Sequence, residues 1–171
     1  MAGTLVDTIT LRCLGNVDGP RFLRGLVRED HSVRLVSLSE GHSDDTHWER
    51  GQSASREFWE LQCLGGQPPG VTHTALFLGG GRSGSVLITP ASQGPEGKPQ
   101  IWHAREVPGL PVAFTLESVA LRDAGVAARF LDGRTQSGEV GLAPNTDPPF
   151  TGTHWEISRV KNTGPFFTGG E

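Results

Sequence analysis

The sequence predicts an all-β fold composed of three pseudo-symmetric repeats, each of four short strands. Two observations predict it: four sequence markers recur three times in the same order, and no long stretch shows the periodicity of an amphipathic helix. Glycine and proline, at 24 and 12 residues, supply many turns, while hydrophobic residues still form 35% of the chain. Repeats of this kind bury their apolar faces only against one another.

The first strand of each repeat is indicated by residues two positions apart, whose side chains share one face of a strand. The three sets are Ile9, Leu11 and Cys13; Trp59, Leu61 and Cys63; and Phe114, Leu116 and Ser118. We expect their apolar members to converge on the axis of a barrel. The two cysteines should be buried, reduced thiols, because equivalent barrel positions lie farther apart than the about 4.4–6.8 Å between Cα atoms that a disulfide needs.

The other three strands of each repeat are predicted from two short apolar blocks and a late tryptophan. The first block lies 26, 25 and 25 residues before the tryptophan: Phe22-Leu23-Arg24-Gly25, Phe77-Leu78-Gly79-Gly80 and Phe130-Leu131-Asp132-Gly133. The second block is Val33-Arg34-Leu35, Val86-Leu87-Ile88 and Val140-Gly141-Leu142. The tryptophans themselves are Trp48, Trp102 and Trp155. Large aromatic residues at equivalent positions indicate a packing role, so we expect them in the core.

These spacings predict that residues 1–171 form one domain. Its repeats should span about residues 5–55, 56–109 and 110–160, followed by a C-terminal tail over 161–171. In the first two repeats, the first strand of the next repeat begins at a fixed distance after the late tryptophan. Phe166 and Phe167 of the tail lie at that same distance after Trp155. We therefore expect the tail to pack beside the N-terminal strand, over the opening of the barrel.

The markers together resemble those of the β-trefoil superfamily, which includes ricin-B-like and fungal lectins, fascin-like actin-bundling domains and Kunitz-type protease inhibitors. The resemblance covers about residues 5–160 and implies the β-trefoil fold. Ricin-type modules carry a Gln-x-Trp sequence near the end of each repeat. Here one copy, Gln100-Ile101-Trp102, has it, whereas the other two read Thr46-His47-Trp48 and Thr153-His154-Trp155.

The charge of the chain argues against polyanionic partners. A formal net charge of −4 and a pI near 5.8 predict neither nucleic-acid binding nor attraction to an anionic membrane. The start of the sequence lacks the basic and apolar regions of a secretory signal, and no stretch approaches the length of a membrane span. We expect a protein that is cytoplasmic or is released without a classical signal peptide.

No motif for catalysis, a metal or a cofactor is present, so we expect no enzyme activity and no cofactor. The glycine-rich segment Gly79-Gly80-Gly81-Arg82-Ser83-Gly84 lacks the Lys-Ser/Thr pair of a phosphate loop and predicts a hairpin turn. His47 and His154 each precede a tryptophan and are expected to hold strand ends by hydrogen bonds rather than to bind a metal.

The third repeat contains the candidate ligand-binding residues. Asp132 replaces Arg24 and Gly79 of the other repeats, so the repeat itself does not require a carboxylate there. With Arg134, Asn145 and Asp147 it forms a set of donors and acceptors suited to sugar hydroxyls. The same residues would also serve as an ordinary polar turn.

Two functions therefore stay open. The first is a non-catalytic, lectin-like protein that binds glycans through shallow sites in its loops. The second is a protein-binding module, either a cytoskeletal binder or a protease inhibitor that acts through the proline-rich segment 89–99, whose prolines would limit the entropy lost on docking.

Overall fold

The computed structural model describes residues 5–15, 18–25, 31–37, 46–52, 55–64, 76–90, 100–146 and 151–160. They form twelve strands, all in one sheet, and one short helix. The strands are β1 (Leu5–Cys13), β2 (Phe22–Gly25), β3 (Val33–Val36), β4 (Trp48–Gln52), β5 (Phe58–Cys63), β6 (Phe77–Gly80), β7 (Val86–Thr89), β8 (Trp102–Glu106), β9 (Ala113–Ser118), β10 (Phe130–Arg134), β11 (Glu139–Ala143) and β12 (Trp155–Arg159); the helix is α1 (Val119–Asp123), and Thr151–Thr153 form a 3₁₀ turn. The prediction of an all-β fold is confirmed.

Six of the strands close a ring. Antiparallel pairing joins β1 to β4, β4 to β5, β5 to β8, β8 to β9, β9 to β12 and β12 back to β1. We call this ring the barrel. Closure leaves these strands without a free edge, which removes a site for unwanted pairing with other chains.

The other six strands form three antiparallel hairpins, β2–β3, β6–β7 and β10–β11, which we call the first, second and third hairpins. Each hairpin follows a barrel strand and pairs with the end of that strand. Phe22 of the first hairpin pairs with β1, Phe77 of the second with β5, and Phe130 of the third with β9. The hairpins also meet one another: Glu139 of the third pairs with Arg34 of the first, and Ser32 of the first bridges to Leu87 of the second.

The predicted core tryptophans join the barrel to the hairpins. The indole N–H groups of Trp48, Trp102 and Trp155 donate to the backbone carbonyls of Leu23, Leu78 and Leu131 at 3.1, 2.9 and 3.0 Å. All three indole rings are buried. In each case the acceptor is the second residue of the Phe-Leu block that precedes the tryptophan in sequence. The core role predicted for these residues is confirmed.

Two of the hairpin glycines are needed because a cysteine packs against their backbone. A Cβ added at Gly25 would lie 2.8 Å from the sulfur of Cys63, and one added at Gly133 would lie 2.9 Å from the sulfur of Cys13. Neither cysteine forms a disulfide and both are buried, as predicted. Burial raises the pKa of the Cys13 thiol to about 11, so the group stays protonated and unreactive at neutral pH.

A short helix that the sequence did not predict follows the first strand of the third repeat. Strand β9 stops at Ser118, and Val119–Asp123 form a helix whose N-terminus is capped by the Ser118 hydroxyl, which accepts from the Leu121 amide at 3.3 Å. A single helical turn is too short to produce a periodic pattern in the sequence. Within the described residues no helix is long and apolar enough to cross a membrane.

Replacing Leu61 by Ala should lower the free energy of unfolding by roughly 2–5 kcal/mol, because Leu61 is completely buried and its removal leaves a cavity. Urea denaturation measures this loss. Leu110→Ala is the matched control, since Leu110 is 45% exposed and its truncation should change stability by only about 0.5 kcal/mol. Equal losses for the two variants would contradict the assignment of Leu61 to the core.

Candidate functional site

An open groove of about 710 Å³ lies where the three hairpins meet. Its volume falls in the range of about 300–1,000 Å³ that is typical of small-molecule sites. We call it the junction groove. All three hairpins contribute to it, through Ser32, Val33 and Arg34 of the first, Gly84 of the second, and Arg134, Ser137, Gly138, Glu139, Val140 and Gly141 of the third.

The turns of the hairpins shape this groove. His31, Gly84 and Gly138 each lie in the same place, two residues before a buried or half-buried valine, and all have positive φ values of 63°, 90° and 85°. The His31 carbonyl accepts from the Ile88 amide at 2.9 Å, and the Gly138 carbonyl accepts from the Leu35 amide at 2.8 Å. These bonds hold neighbouring hairpins together across the groove without using any side chain.

Charged side chains line the groove in one row. Arg34, Glu139 and Arg134 are directly opposite one another on β3, β11 and β10, so they share one face of the sheet. Arg134 and Glu139 form an ion pair of 3.6 Å, but both side chains are about 70% exposed, which makes the pair weak. Arg34 is also exposed, and it makes no ion pair with any described residue.

Asp132 lies next to the groove on the same outward face of β10 as Arg134, and it is directly opposite Gly141 of the groove wall. Its carboxylate is half-buried, and a Cβ added at Gly152 would lie 2.5 Å from Oδ1. Burial raises the pKa of this carboxyl, and the charge of Arg134 opposes that rise in part. A carboxylate in a partly desolvated position costs stability, which makes Asp132 a candidate functional residue.

The second hairpin shows that the fold does not need this carboxylate. Gly79 occupies the position equivalent to Asp132, and a Cβ added there would meet the side chain of Gln100 at 2.7 Å. The buried Gln100 amide therefore fills the corresponding space, where it donates to the hydroxyl of Thr89. Within the described residues its Oε1 atom has no hydrogen-bond partner. A neutral amide thus replaces the carboxylate in the same framework.

The structure brings together two of the four predicted site residues. Asp132 and Arg134 lie side by side, and Arg134 lines the groove. Asn145 is exposed and lies two residues beyond the end of β11. Asp147 lies outside the described residues, as does most of the proline-rich segment 89–99 that was considered for protease inhibition.

Sequence reasoning missed Arg34, Glu139 and Ser32 as site residues. The signal that could have found Arg34 is in the Val-x-Leu block, where the middle residue is Arg34, Leu87 or Gly141 in the three copies. A charge that appears in one copy of a repeated position is not imposed by packing. Glu139 depends on pairing between the first and third hairpins, which the sequence does not reveal.

Two carboxylates elsewhere in the described part of the chain are paired with arginines. Glu117 is buried and receives a hydrogen bond from Arg129 at 2.6 Å, with Arg122 3.7 Å away. Burial alone would raise the pKa of Asp7, but hydrogen bonds and charge from Arg50, and then from Arg159, hold it below its ordinary value. Their charges are satisfied, so they serve the scaffold.

One histidine is also held within the barrel wall. The Nε2 atom of His103 lies 3.1 Å from a Glu57 carboxylate oxygen, and its ring stacks on Phe58 with centroids 4.7 Å apart. Among the residues that the structure describes, no group of three or more His, Cys, Asp or Glu side chains is arranged to hold a metal ion. His103 therefore offers a packed and hydrogen-bonded site rather than an open one.

Comparison with known proteins identifies the fold. No protein-family model matches the sequence, and no curated protein matches it either. The structure is similar to that of SeviL bound to asialo-GM1 saccharide, with a TM-score of 0.58 and 16% sequence identity. The match covers 92% of this chain and 100% of that chain. The two proteins share an all-β fold over nearly their whole lengths.

Asp132→Asn should make the protein more stable at pH 7. The folded state raises the pKa of Asp132 above the ordinary value of 3.8, so the folded chain binds more protons than the unfolded chain between these two values. Stability therefore falls as the pH rises through this window, and the loss persists at higher pH. The variant lacks this loss, and its advantage should disappear below pH 3.8.

Urea denaturation across this pH range measures the difference. Asp123→Asn is the control, because Asp123 is half-exposed and pairs with Arg122, so its removal should give no gain at pH 7. If Asp132→Asn were instead less stable than the native protein at pH 7, the carboxylate would be a stabilising structural group.

Proposed function

We propose that this chain is a β-trefoil protein that binds carbohydrate without catalysing a reaction, and that the junction groove with Asp132 is its binding site. The trefoil assignment is supported by the closed ring of six strands, the three hairpins and the indole–carbonyl bond that recurs in each. We propose that its repeats have the bounds expected from the sequence, about residues 5–55, 56–109 and 110–160.

The observation that carries the proposed function is the composition of the junction groove. Sugar hydroxyls donate and accept hydrogen bonds, and the groove offers both kinds of partner within a small area. Arg34 and Arg134 are donors, Glu139 is an acceptor, and Ser137 can act as either. Asp132 adds a second acceptor beside the groove, opposite Gly141. These groups project from strands and tight turns, which fixes their positions before a ligand binds.

The glycines of the groove favour the same interpretation. Gly84 and Gly141 expose backbone rather than side chains, and a Cβ added at Gly141 would lie 3.3 Å from the Gly84 carbonyl oxygen. A flat ligand ring can therefore approach the hairpin backbone closely. Leu87, which is 40% exposed and bridged to Ser32, adds apolar surface beside the groove for the C–H face of a sugar.

The fold likeness supports carbohydrate as the ligand class. SeviL, which shares the fold, is bound to a saccharide. One fold can serve several functions, so the likeness supports carbohydrate binding only together with the composition of the groove. Partners other than glycans are not needed to account for the groove.

A glycan array followed by calorimetric titration of the bound oligosaccharides tests the proposal. Native protein should bind at least one class of saccharide, and Asp132→Ala should weaken that binding at least about tenfold, because a charged hydrogen-bond acceptor is lost. The thermal midpoint of the variant should not fall, since Asp132 is desolvated in the fold. Asp123→Ala removes an equal charge from helix α1 and should bind as the native protein does. The absence of binding to any saccharide on a broad array would refute the proposed function.

A further inference from the structure

We infer that the junction groove selects acidic saccharides, whose carboxylate or sulfate group is bound by Arg34 and Arg134. This inference rests on the proposed function and names its ligand class. It follows from the two arginines that line the groove and from how they are paired. Glu139 also lines the groove and Asp132 lies beside it, but Arg34 forms no ion pair with either carboxylate.

Arg34 gives the strongest indication that the ligand is an anion. Its guanidinium is exposed on the groove wall, and no described residue forms an ion pair with it. Two arginines elsewhere are held by carboxylates: Arg50 binds Asp7 through two hydrogen bonds of 2.9 and 2.6 Å, and Arg129 binds Glu117. A guanidinium presents paired N–H donors that match a carboxylate or sulfate group.

The neighbour of Arg34 in β2 is a second arginine. Arg24 lies directly opposite Arg34 in the first hairpin, and like charges in directly opposed positions destabilise a sheet. The equivalent pairs are Gly79 with Leu87 in the second hairpin and Asp132 with Gly141 in the third. The framework of the hairpin therefore requires neither arginine, and Arg24 has an interaction of its own within the chain.

Glu139 controls the strength of this positive site. It lies between Arg34 and Arg134 in register, and its carboxylate is 3.6 Å from Arg134. Both groups are largely exposed, so little free energy holds the pair together. An incoming carboxylate or sulfate group can therefore take Arg134 from Glu139 while it also binds Arg34. Glu139 acts as a competitor that the ligand displaces.

The test is a set of oligosaccharides in which each neutral member is accompanied by its sialylated, uronic-acid or sulfated counterpart. Calorimetric titration at low salt should show that the native protein binds the acidic member about tenfold or more tightly than the neutral one. Arg34→Gln and Arg134→Gln should each reduce binding of the acidic member by about tenfold to a hundredfold. Binding of the neutral member should change much less.

Two further variants separate a ligand-binding role from a structural one. Glu139→Gln removes the competing carboxylate and should tighten binding of the acidic member, which a merely structural residue would not do. Arg105→Gln is the matched control, because Arg105 is an exposed arginine on barrel strand β8 and does not line the groove. It removes the same charge from the protein and should leave both affinities unchanged.

The outcomes distinguish this inference from the function on which it rests. If neutral members bind as tightly as acidic ones, and Arg34→Gln leaves binding unchanged, the preference for acidic saccharides is wrong while carbohydrate binding stands. If no saccharide in the set binds, both the proposed function and this inference fail. Equal weakening by Arg105→Gln and Arg34→Gln would show a general effect of charge and would also overturn the inference.

Discussion

The indole N–H of each late tryptophan donates to a backbone carbonyl of the hairpin that precedes it in sequence, inside the protein and away from water. This bond holds a hairpin against the barrel at a point where the chain would otherwise bury an unpaired carbonyl, at a cost of about 1–3 kcal/mol. The junction groove exists because three hairpins are held in this way and meet without filling the space between them. The site thus depends on core residues that no ligand touches.

The contacts of the framework recur in the three repeats, whereas the charges of the groove do not. Framework contacts recur: the amides of Cys13, Cys63 and Ser118, each the last residue of a first strand, donate to the carbonyls of Arg21, Leu76 and Arg129. The charges of the groove do not recur, since the residues equivalent to Arg34 are Leu87 and Gly141. A fold that tolerates arginine, leucine and glycine at one position leaves that position free for binding.

Much of the fold could be predicted from the sequence because its strongest constraints are local and repeated. The Phe-Leu block and the tryptophan are joined by one hydrogen bond, so their near-constant spacing appears directly in the sequence. Helix α1 could not be predicted, because one turn capped by Ser118 leaves no periodic pattern. The sequence showed Gly133 as part of a repeated block but not why a glycine is needed there. The reason is the close contact of its backbone with Cys13, which is far away in sequence.

The site could be predicted only in part. Asp132 and Arg134 were found because they lie on one strand and depart from the other repeats. Glu139 was not, because its place in the groove depends on pairing with Arg34, in a strand more than a hundred residues earlier. Asn145 was grouped with Asp132 because both lie in the third repeat, and it lies beyond the end of β11 rather than on the strand that holds Asp132.

A two-dimensional amide NMR titration with the oligosaccharide that binds most tightly on the array tests the central claim most directly, because the groove is lined by glycine amides from two hairpins. The account predicts that the signals of Gly84, Gly138 and Gly141 shift together and saturate at one ligand concentration, while those of Arg105 and Ala104 on the barrel wall remain in place. Shifts confined to the barrel wall, with the three glycine signals unchanged, would contradict it.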